Sequence, residues 1–410
     1  MSVTPERLDR ERDAKAVVRM WREAGWVEED THERALDVGM RRMDGWVARV
    51  DGDAECSVFT SPGSMRYQDA DLDLCGVMAV TTSRVARRQG LAGRVTAAAL
   101  ADAAGNGAAV AGLGMFEQGF YNRLGFGCMP NNLDVRFDPA KLRVPVEARP
   151  PRRLSADHAA PMHANRCGRM RVHGSVVFDD SAATDKDVRW AKNGFGLGYF
   201  AGDRLTHHLY AEAENENGPY SIWWMAYEDG HQLLELLALL ASLSDQVHQV
   251  RMPEPVHVQL QDLLHWPLRG LATMRNARHE QRFQYVSWQQ IRILDLRRCI
   301  AATRTHQPVR FNLTLTDPVG RYLDGAAPRG DWRGIAGEYL VTLGEASEAA
   351  PGHRAGLPEL RASAGAFSRL WAGVRPASSL ALTDDLAGPA ELLADLDRAA
   401  PPQAQFDWMF

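Results

Sequence analysis

The 410-residue sequence is poor in cysteine, and its five cysteines, Cys56, Cys75, Cys128, Cys167 and Cys299, form no Cys-x-x-Cys pair. An odd, scattered set in a long chain argues against a disulfide framework and fits a reducing compartment. No apolar run approaches the roughly 20 residues of a membrane-spanning helix. The longest, Leu233 to Leu243, reads as one face of a core helix. The charged opening Met-Ser-Val-Thr-Pro-Glu-Arg lacks the apolar centre of a secretory signal, so a cytoplasmic location is expected. The 13 histidines make no His-x-x-x-His pattern, and no metal site is expected. His207 and His208 are adjacent and would point to opposite faces of a strand. An excess of positive charge is missing too: 47 Lys and Arg face 52 Asp and Glu, for a net charge of −5. That is contrary to a nucleic-acid footprint and compatible with a cationic small molecule.

What the sequence does have is the composition of a soluble globular protein, 45% hydrophobic and 24% charged, in a chain longer than one core usually supports. Two or three domains are expected. Ala16, Val17, Met20, Trp21 and Ala24 recur at helical spacing between Asp13 and Trp26. Gly45 to Val50 and Cys56 to Thr60 flank the turn signal Asp51-Gly52-Asp53, which predicts a hairpin. A longer strand is expected from Leu72 to Thr82, an Ala-rich helix from Leu91 to Ala104 with Leu91, Val95 and Ala98 or Ala99 on its buried stripe, and a strand from Ala108 to Met115. This strand–loop–helix–strand order is a βαβ unit and implies parallel strands. Trp26 and Trp46 read as core. Pro and Arg gather from Asp138 to Arg153, which reads as a linker. Strands follow near Leu197–Ala201, His207–Glu212, Tyr220–Ala226 and Val247–Met252, with a helix from Gln232 to Ser244. Gly194-Phe-Gly-Leu-Gly198 lacks GxGxxG spacing and is expected in a hairpin. Beyond Gln290, strands are expected at Val309–Thr316 and Gly337–Leu343, with helices at Ala364–Ala372 and Ala390–Leu396.

The chemistry concentrates in Val80-Thr81-Thr82-Ser83-Arg84-Val85-Ala86-Arg87-Arg88-Gln89-Gly90-Leu91-Ala92-Gly93, between the long strand and the Ala-rich helix. A diphosphate needs several N–H donors converging on one point, and a helix start supplies them with a partial positive charge. Gly90 lets the backbone approach, Ala92 keeps the first turn uncrowded, and Arg87 and Arg88 add charge-assisted hydrogen bonds. A second segment, Phe116-Glu117-Gln118-Gly119-Phe120-Tyr121-Asn122-Arg123-Leu124-Gly125-Phe126, follows the next strand. A tyrosine hydroxyl, with a reference pKa of about 10, is protonated at neutral pH and can act as a general acid.

Arg87-x-x-Gly90-x-Ala92 resembles the acetyl-CoA loop of GNAT acetyltransferases, with Arg84 standing where many members carry proline. The Phe-Tyr-x-x-Leu-Gly-Phe run is similar to the GNAT segment whose tyrosine sits beside the thioester. A third block opening with Trp288-x-x-x-Arg292-Ile-Leu-Asp-Leu and an ending in Phe406-Asp-Trp-Met-Phe410 are similar to the Eis (enhanced intracellular survival) family. The resemblance implies a multidomain α+β and α/β chain. Its parts would be a catalytic GNAT domain at 1–145, a degenerate GNAT-like domain without the loop at 146–289, and a sterol-carrier-protein-like domain at 290–410.

It further implies transfer of an acetyl group from acetyl-CoA to a primary amine, most often an aminoglycoside-type polyamine, with a lysine, protein or peptide as the alternative acceptor. A non-catalytic lipid-binding protein on the same scaffold is the rival reading. Val80, Thr81, Thr82, Phe116 and Glu117 would join residues Arg87 to Gly93 in holding acetyl-CoA. Tyr121 would be the general acid and the Phe410 carboxylate the general base. The family's hexamers imply a homo-oligomer. The acidic run Glu28, Glu29, Asp30 and Glu33 reads as a solvated face, and by the resemblance it would border the acceptor cleft. Met409 replaces the acidic residue of the aminoglycoside-acetylating members, with Asp407 nearby.

Overall fold

The computed structural model describes residues 3–27, 40–266, 281–323 and 331–409. In the first unit, helix α1 (Arg10–Glu23) begins at Asp9, whose carboxylate accepts from the amides of Glu11 and Arg12. Its buried face carries Val17, Met20 and Trp21 onto a mixed sheet. That sheet runs β1 (Glu6–Arg7), β2 (Asp44–Val50), β3 (Asp53–Tyr67), β4 (Ala70–Thr82), β5 (Val110–Gly114), then a late strand, then β6 (Gly127–Cys128). The β2–β3 hairpin turns through Asp51 (φ 52°) and Gly52 (φ 95°), the two left-handed residues that a twisted two-residue turn needs.

Helix α2 (Leu91–Gly105) joins β4 to β5, which lie parallel, as the βαβ pattern requires. The helix is buried well beyond the expected stripe, with Gly93, Thr96, Ala97, Leu100 and Ala101 also covered. Small side chains let it lie close to the sheet, and residues 318–323 of the third unit cover its other side.

The second unit repeats this plan. Its strands are β7 (Asn132–Phe137), β8 (Arg152–Leu154), β10 (Gly194–Ala201), β11 (Arg204–Ala213), β12 (Tyr220–Ala226), β13 (Val250–Pro253) and β14 (Arg282–Val286), in the sheet order β8-β10-β11-β12-β13-β7-β14. Helix α5 (Gly230–Ser242) joins the parallel pair β12 and β13 as α2 joins β4 and β5. His207 and His208 do face opposite ways: His207 meets Glu235 of α5 at 3.0 Å, and His208 meets Asn165 of α3 (Ala159–Gly168) at 2.6 Å. Helix α4 (Ala182–Trp190) follows β9 (Val176–Phe178), which pairs with β3 of the first sheet.

Sheet membership does not follow chain order at the borders expected at 145/146 and 289/290. β7 precedes the first border, yet it lies between β13 and β14 of the second sheet. The late strand of the first sheet, β15 (Gln289–Ile293), arrives only after the whole second unit and inserts between β5 and β6. The two units thus exchange equivalent strands. Hydrophobic periodicity marks a strand but not the sheet that receives it, and this is why the linear borders miss the exchange.

The third unit is a five-stranded sheet, β18-β17-β16-β19-β20, formed by β16 (Val309–Thr316), β17 (Gly337–Leu343), β18 (Glu348–Pro351), β19 (Glu359–Ser363) and β20 (Leu386–Ala387). Helices α6 (Leu296–Ala302), α7 (Ala364–Trp371), α8 (Ala377–Thr383) and α9 (Ala390–Arg398) pack with it. No helix among the described residues is long and apolar enough to cross a membrane.

A buried ion pair ties this unit to the first. Arg292 of β15 and Asp317 are both fully buried, with Arg292 Nη2 donating to Asp317 Oδ2. Arg292 also donates to the carbonyl of Leu124, and Asp317 accepts from the amides of Val319 and Ile335 at 3.1 and 2.8 Å. Burial lowers the Arg292 pKa, and Asp317 opposes that. Arg292→Ala would strand the Asp317 charge, so a loss of about 3–5 kcal/mol is expected in denaturant unfolding. The double variant Arg292→Met with Asp317→Leu removes both charges and is expected to lose less. Equal losses in the two variants would show that the pair itself contributes nothing.

Candidate active site

The site opens where β4 and β5 part. Their parallel pairing runs from Leu74–Val110 to Val77–Leu113 and then ends, while β4 continues to Thr82. Just past the last pair, β4 carries one extra residue relative to β3, and Ala79 takes a left-handed conformation (φ 48°). Such a bulge bends the strand, here where it leaves β5. Val80 and Thr82 are half-buried along this stretch and Thr81 is buried.

The chain leaves β4 through the loop 83–90. Arg87, Arg88, Gln89 and Gly90 are exposed, and Arg88 (φ 63°) and Gly90 (φ 75°) are left-handed. Gly90 is the residue before α2, and no side chain caps the helix there. The first amides of α2 therefore face outward with their partial positive charge, flanked by two arginines that have no carboxylate partner among the described residues. Leu91 and Gly93 are buried and Ala92 is half-buried. The equivalent helix of the second unit differs in one decisive respect. Asp229 caps α5, its carboxylate accepting from the Gln232 amide at 2.9 Å. Its start is occupied by its own negative charge, which disfavours an anion there.

Across the opening, β5 ends at Gly114, and Phe116 and Glu117 are exposed just beyond. Tyr121 begins the short helical turn Tyr121–Leu124 and is 3% exposed. Phe120 and Phe126 meet its ring edge-on at centroid distances of 4.9 and 6.1 Å. Burial, and secondly the Cys56 thiol, hold the Tyr121 phenol well above its ordinary pKa. It therefore stays a proton donor across the physiological range. Cys56, which the sequence offered no reason to single out, accepts from the Thr82 hydroxyl at 3.3 Å. Burial pushes its thiol up to about 12, so it is no thiolate nucleophile at neutral pH.

The carboxy-terminal tail reaches the same end of the sheet. Asp407 pairs with Arg169 at 2.6 Å and accepts from the Ser175 hydroxyl and the Val176 amide, both at 2.9 Å. The buried Trp408 ring lies 3.5 Å beneath the Arg166 guanidinium, and its carbonyl accepts from Gln289 Nε2 at 3.3 Å. Gln289 pairs with Gly114 at the tip of β5. Met409 is exposed. Phe410, Glu28, Glu29, Asp30 and Glu33 lie outside the described residues. Trp46 is buried, whereas Trp26, expected in the core, is 40% exposed because it follows the last turn of α1.

Residues 7–129 match the model of the acetyltransferase (GNAT) domain. The chain carries a GNAT acetyltransferase domain and is an acyltransferase enzyme. The match spans the β4 loop, the start of α2 and Tyr121. Solved structures extend the likeness of fold over the whole chain. A conserved protein from Enterococcus faecalis V583 is 16% identical, with TM-score 0.80 and 100% of both chains covered. A GCN5-related N-acetyltransferase from Anabaena variabilis ATCC 29413 is 12% identical, with TM-score 0.79 and the same full coverage. Eis1 from Mycobacterium abscessus is 14% identical, with TM-score 0.74, again over 100% of both chains. No curated protein matches the sequence.

GNAT-fold acetyltransferases use acetyl-CoA. One uncapped and one capped helix start predict one acetyl-CoA per chain, read as the stoichiometry of equilibrium binding. Gly90→Asp places a carboxylate at the open helix start and forces a side chain into a left-handed backbone. At least a tenfold weaker acetyl-CoA affinity is expected, on the order of the 1.4 kcal/mol that a lost charge-assisted contact represents. Unchanged affinity in a folded variant would remove this loop from the site.

Proposed function

We propose that the protein is an Eis-like N-acetyltransferase that moves the acetyl group of acetyl-CoA to a primary amine, with an aminoglycoside-type polyamine as the acceptor class. The observation that carries this reading is the uncapped start of α2, beside a strand end from which β5 has parted and in the same apolar cluster as the buried Tyr121. In this reading the amides at the start of α2, with Arg87 and Arg88, hold the diphosphate. The free edge of β4 at Val80–Thr82 pairs with the pantetheine amides as an added strand would. A strand-end amide near Thr82 donates to the oxyanion that forms when the amine attacks the thioester carbonyl. As that intermediate collapses, the C–S bond breaks and Tyr121 protonates the departing thiolate. The amine's own proton leaves to the base that the resemblance implies, the Phe410 carboxylate. The clamped path of residues 407 and 408 toward Gln289 and Gly114 supports that placement.

The shared strand order of the first two sheets supports reading the second unit as a degenerate GNAT-like domain, and the capped start of α5 explains why it would bind no second cofactor. The α+β third unit is read as the sterol-carrier-protein-like domain, and the family's hexamer as the assembly. A cytoplasmic location belongs to the same reading.

Tyr121→Phe keeps the ring packing and removes the proton. A fall in kcat of about 10²–10⁴-fold is expected, with acetyl-CoA affinity retained. Because the wild-type phenol titrates above its ordinary value, kcat should show no alkaline loss attributable to Tyr121 up to about pH 10. Wild-type turnover in Tyr121→Phe would assign the acid elsewhere. Extending the chain beyond Phe410 is expected to lower kcat by a comparable ~10²–10⁴-fold, whereas the same extension before Met1 is not. Equal steady-state rates for the two tagged forms would reduce the tail to a structural plug.

A further inference from the structure

The third unit comes within contact distance of the acetyl-CoA loop. A Cβ placed on Gly93, in the first turn of α2, would lie 2.7 Å from Cε1 of Tyr322. Only glycine permits that approach, so the Tyr322 ring rests against the helix turn that follows the open amides. Tyr322 closes the short turn Pro318–Tyr322, which Asp317 starts and the buried Arg292 anchors. The same turn packs against Tyr121–Leu124. Its position is therefore fixed from two sides of the site.

Arg321 lies next to that ring. Its guanidinium stacks 4.8 Å from the Tyr322 centroid, and Nη2 donates to the Tyr322 hydroxyl at 3.0 Å. It is exposed and has no carboxylate partner among the described residues. Arg123, on the neighbouring turn, is likewise exposed and without one. Exposed arginines thus occur on the loop and on the two turns packed beside α2, none neutralised by a described carboxylate, on a chain whose net charge is negative. Coenzyme A carries a diphosphate and, on the adjoining ribose, a 3′-phosphate monoester. The start of α2 with Arg87 and Arg88 accounts for the diphosphate. Only the ribose separates the 3′-phosphate from the diphosphate, so a cation beside the first turn of α2, where Tyr322 meets Gly93, is suited to it. A guanidinium held by ring stacking and one hydrogen bond is pre-oriented and keeps N–H donors free for a phosphate dianion.

We propose that the third unit completes the nucleotide end of the acetyl-CoA site, with Arg321, held by Tyr322, binding the 3′-phosphate. This rests on the reading of the β4–α2 loop given above. The binding site then spans two units of the chain, and the buried Arg292–Asp317 pair sets the distance between its halves.

Titration calorimetry on the full chain with acetyl-CoA and with its 3′-dephospho form tests this. Removing the 3′-phosphate is expected to weaken binding to the wild type about tenfold, as loss of one exposed charge-assisted contact does. Arg321→Ala, an exposed substitution, is expected to weaken acetyl-CoA binding by a similar factor and to bind both ligands equally. Arg321→Lys should regain part of the preference. Wild-type affinity in Arg321→Ala, or an undiminished preference for the 3′-phosphorylated ligand, would overturn the proposal. Failure of the wild type to bind either ligand would instead overturn the reading of the loop.

Discussion

The buried Arg292–Asp317 pair is the constraint on which the site geometry depends. Arg292 belongs to a strand that enters the first sheet only after the chain has built its second unit. Its guanidinium reaches the carbonyl of Leu124, which ends the turn bearing Tyr121, and Asp317, which starts the turn bearing Tyr322. One fully desolvated group thus fixes the segment bearing Tyr121 and the third unit's contact with α2 together. Burying an arginine is costly unless its donors are met; here a carbonyl and a carboxylate meet Nη1 and Nη2, while Nε has no partner. The result is less a source of net stability than a specification of how the parts register.

The strand exchange has the same consequence on a larger scale. Each of the first two sheets is completed by a strand from the chain's opposite side, so neither is whole without the other. β9 adds a further link by pairing with β3. The tail then lies across this junction, with Asp407 clamped by Arg169, Ser175 and the Val176 amide. Ordering so many distant segments carries an entropic cost that the shared core must offset, and the continuous apolar cluster from α1 through the third sheet does so.

Two copies of one sheet plan differ at the start of the equivalent helix by a single local choice. At α2 the chain offers Gly90 and leaves the helix start open; at α5 it offers Asp229 and closes it. A capping carboxylate stabilises a helix by roughly 1 kcal/mol, so α2 forgoes that stability and keeps its first amides open. Local instability retained at a functional position is the expected pattern when site and scaffold compete for the same groups.

Much of this was legible in the sequence because it is local. Helical spacing placed α1, the Asp-Gly turn placed the β2–β3 hairpin, and the Arg-x-x-Gly-x-Ala pattern placed a loop between a strand and an Ala-rich helix. Adjacent histidines in a strand had to face apart, and they do. Other features follow from no neighbouring residue. The period of a strand does not name its sheet, so the exchange of β7 and β15 is invisible to it. Trp26 has the apolar character of a core residue but lies past the helix that would have buried it. Cys56 comes to the Tyr121 site by strand pairing with Thr82, and Tyr322 reaches Gly93 across more than two hundred residues. The sequence determined which segments could form helices, strands and an anion-ready helix start, because those depend on short-range sterics and periodicity. Only the tertiary structure decided which segments met, because long-range pairing depends on the joint burial of surfaces that no single window of sequence contains.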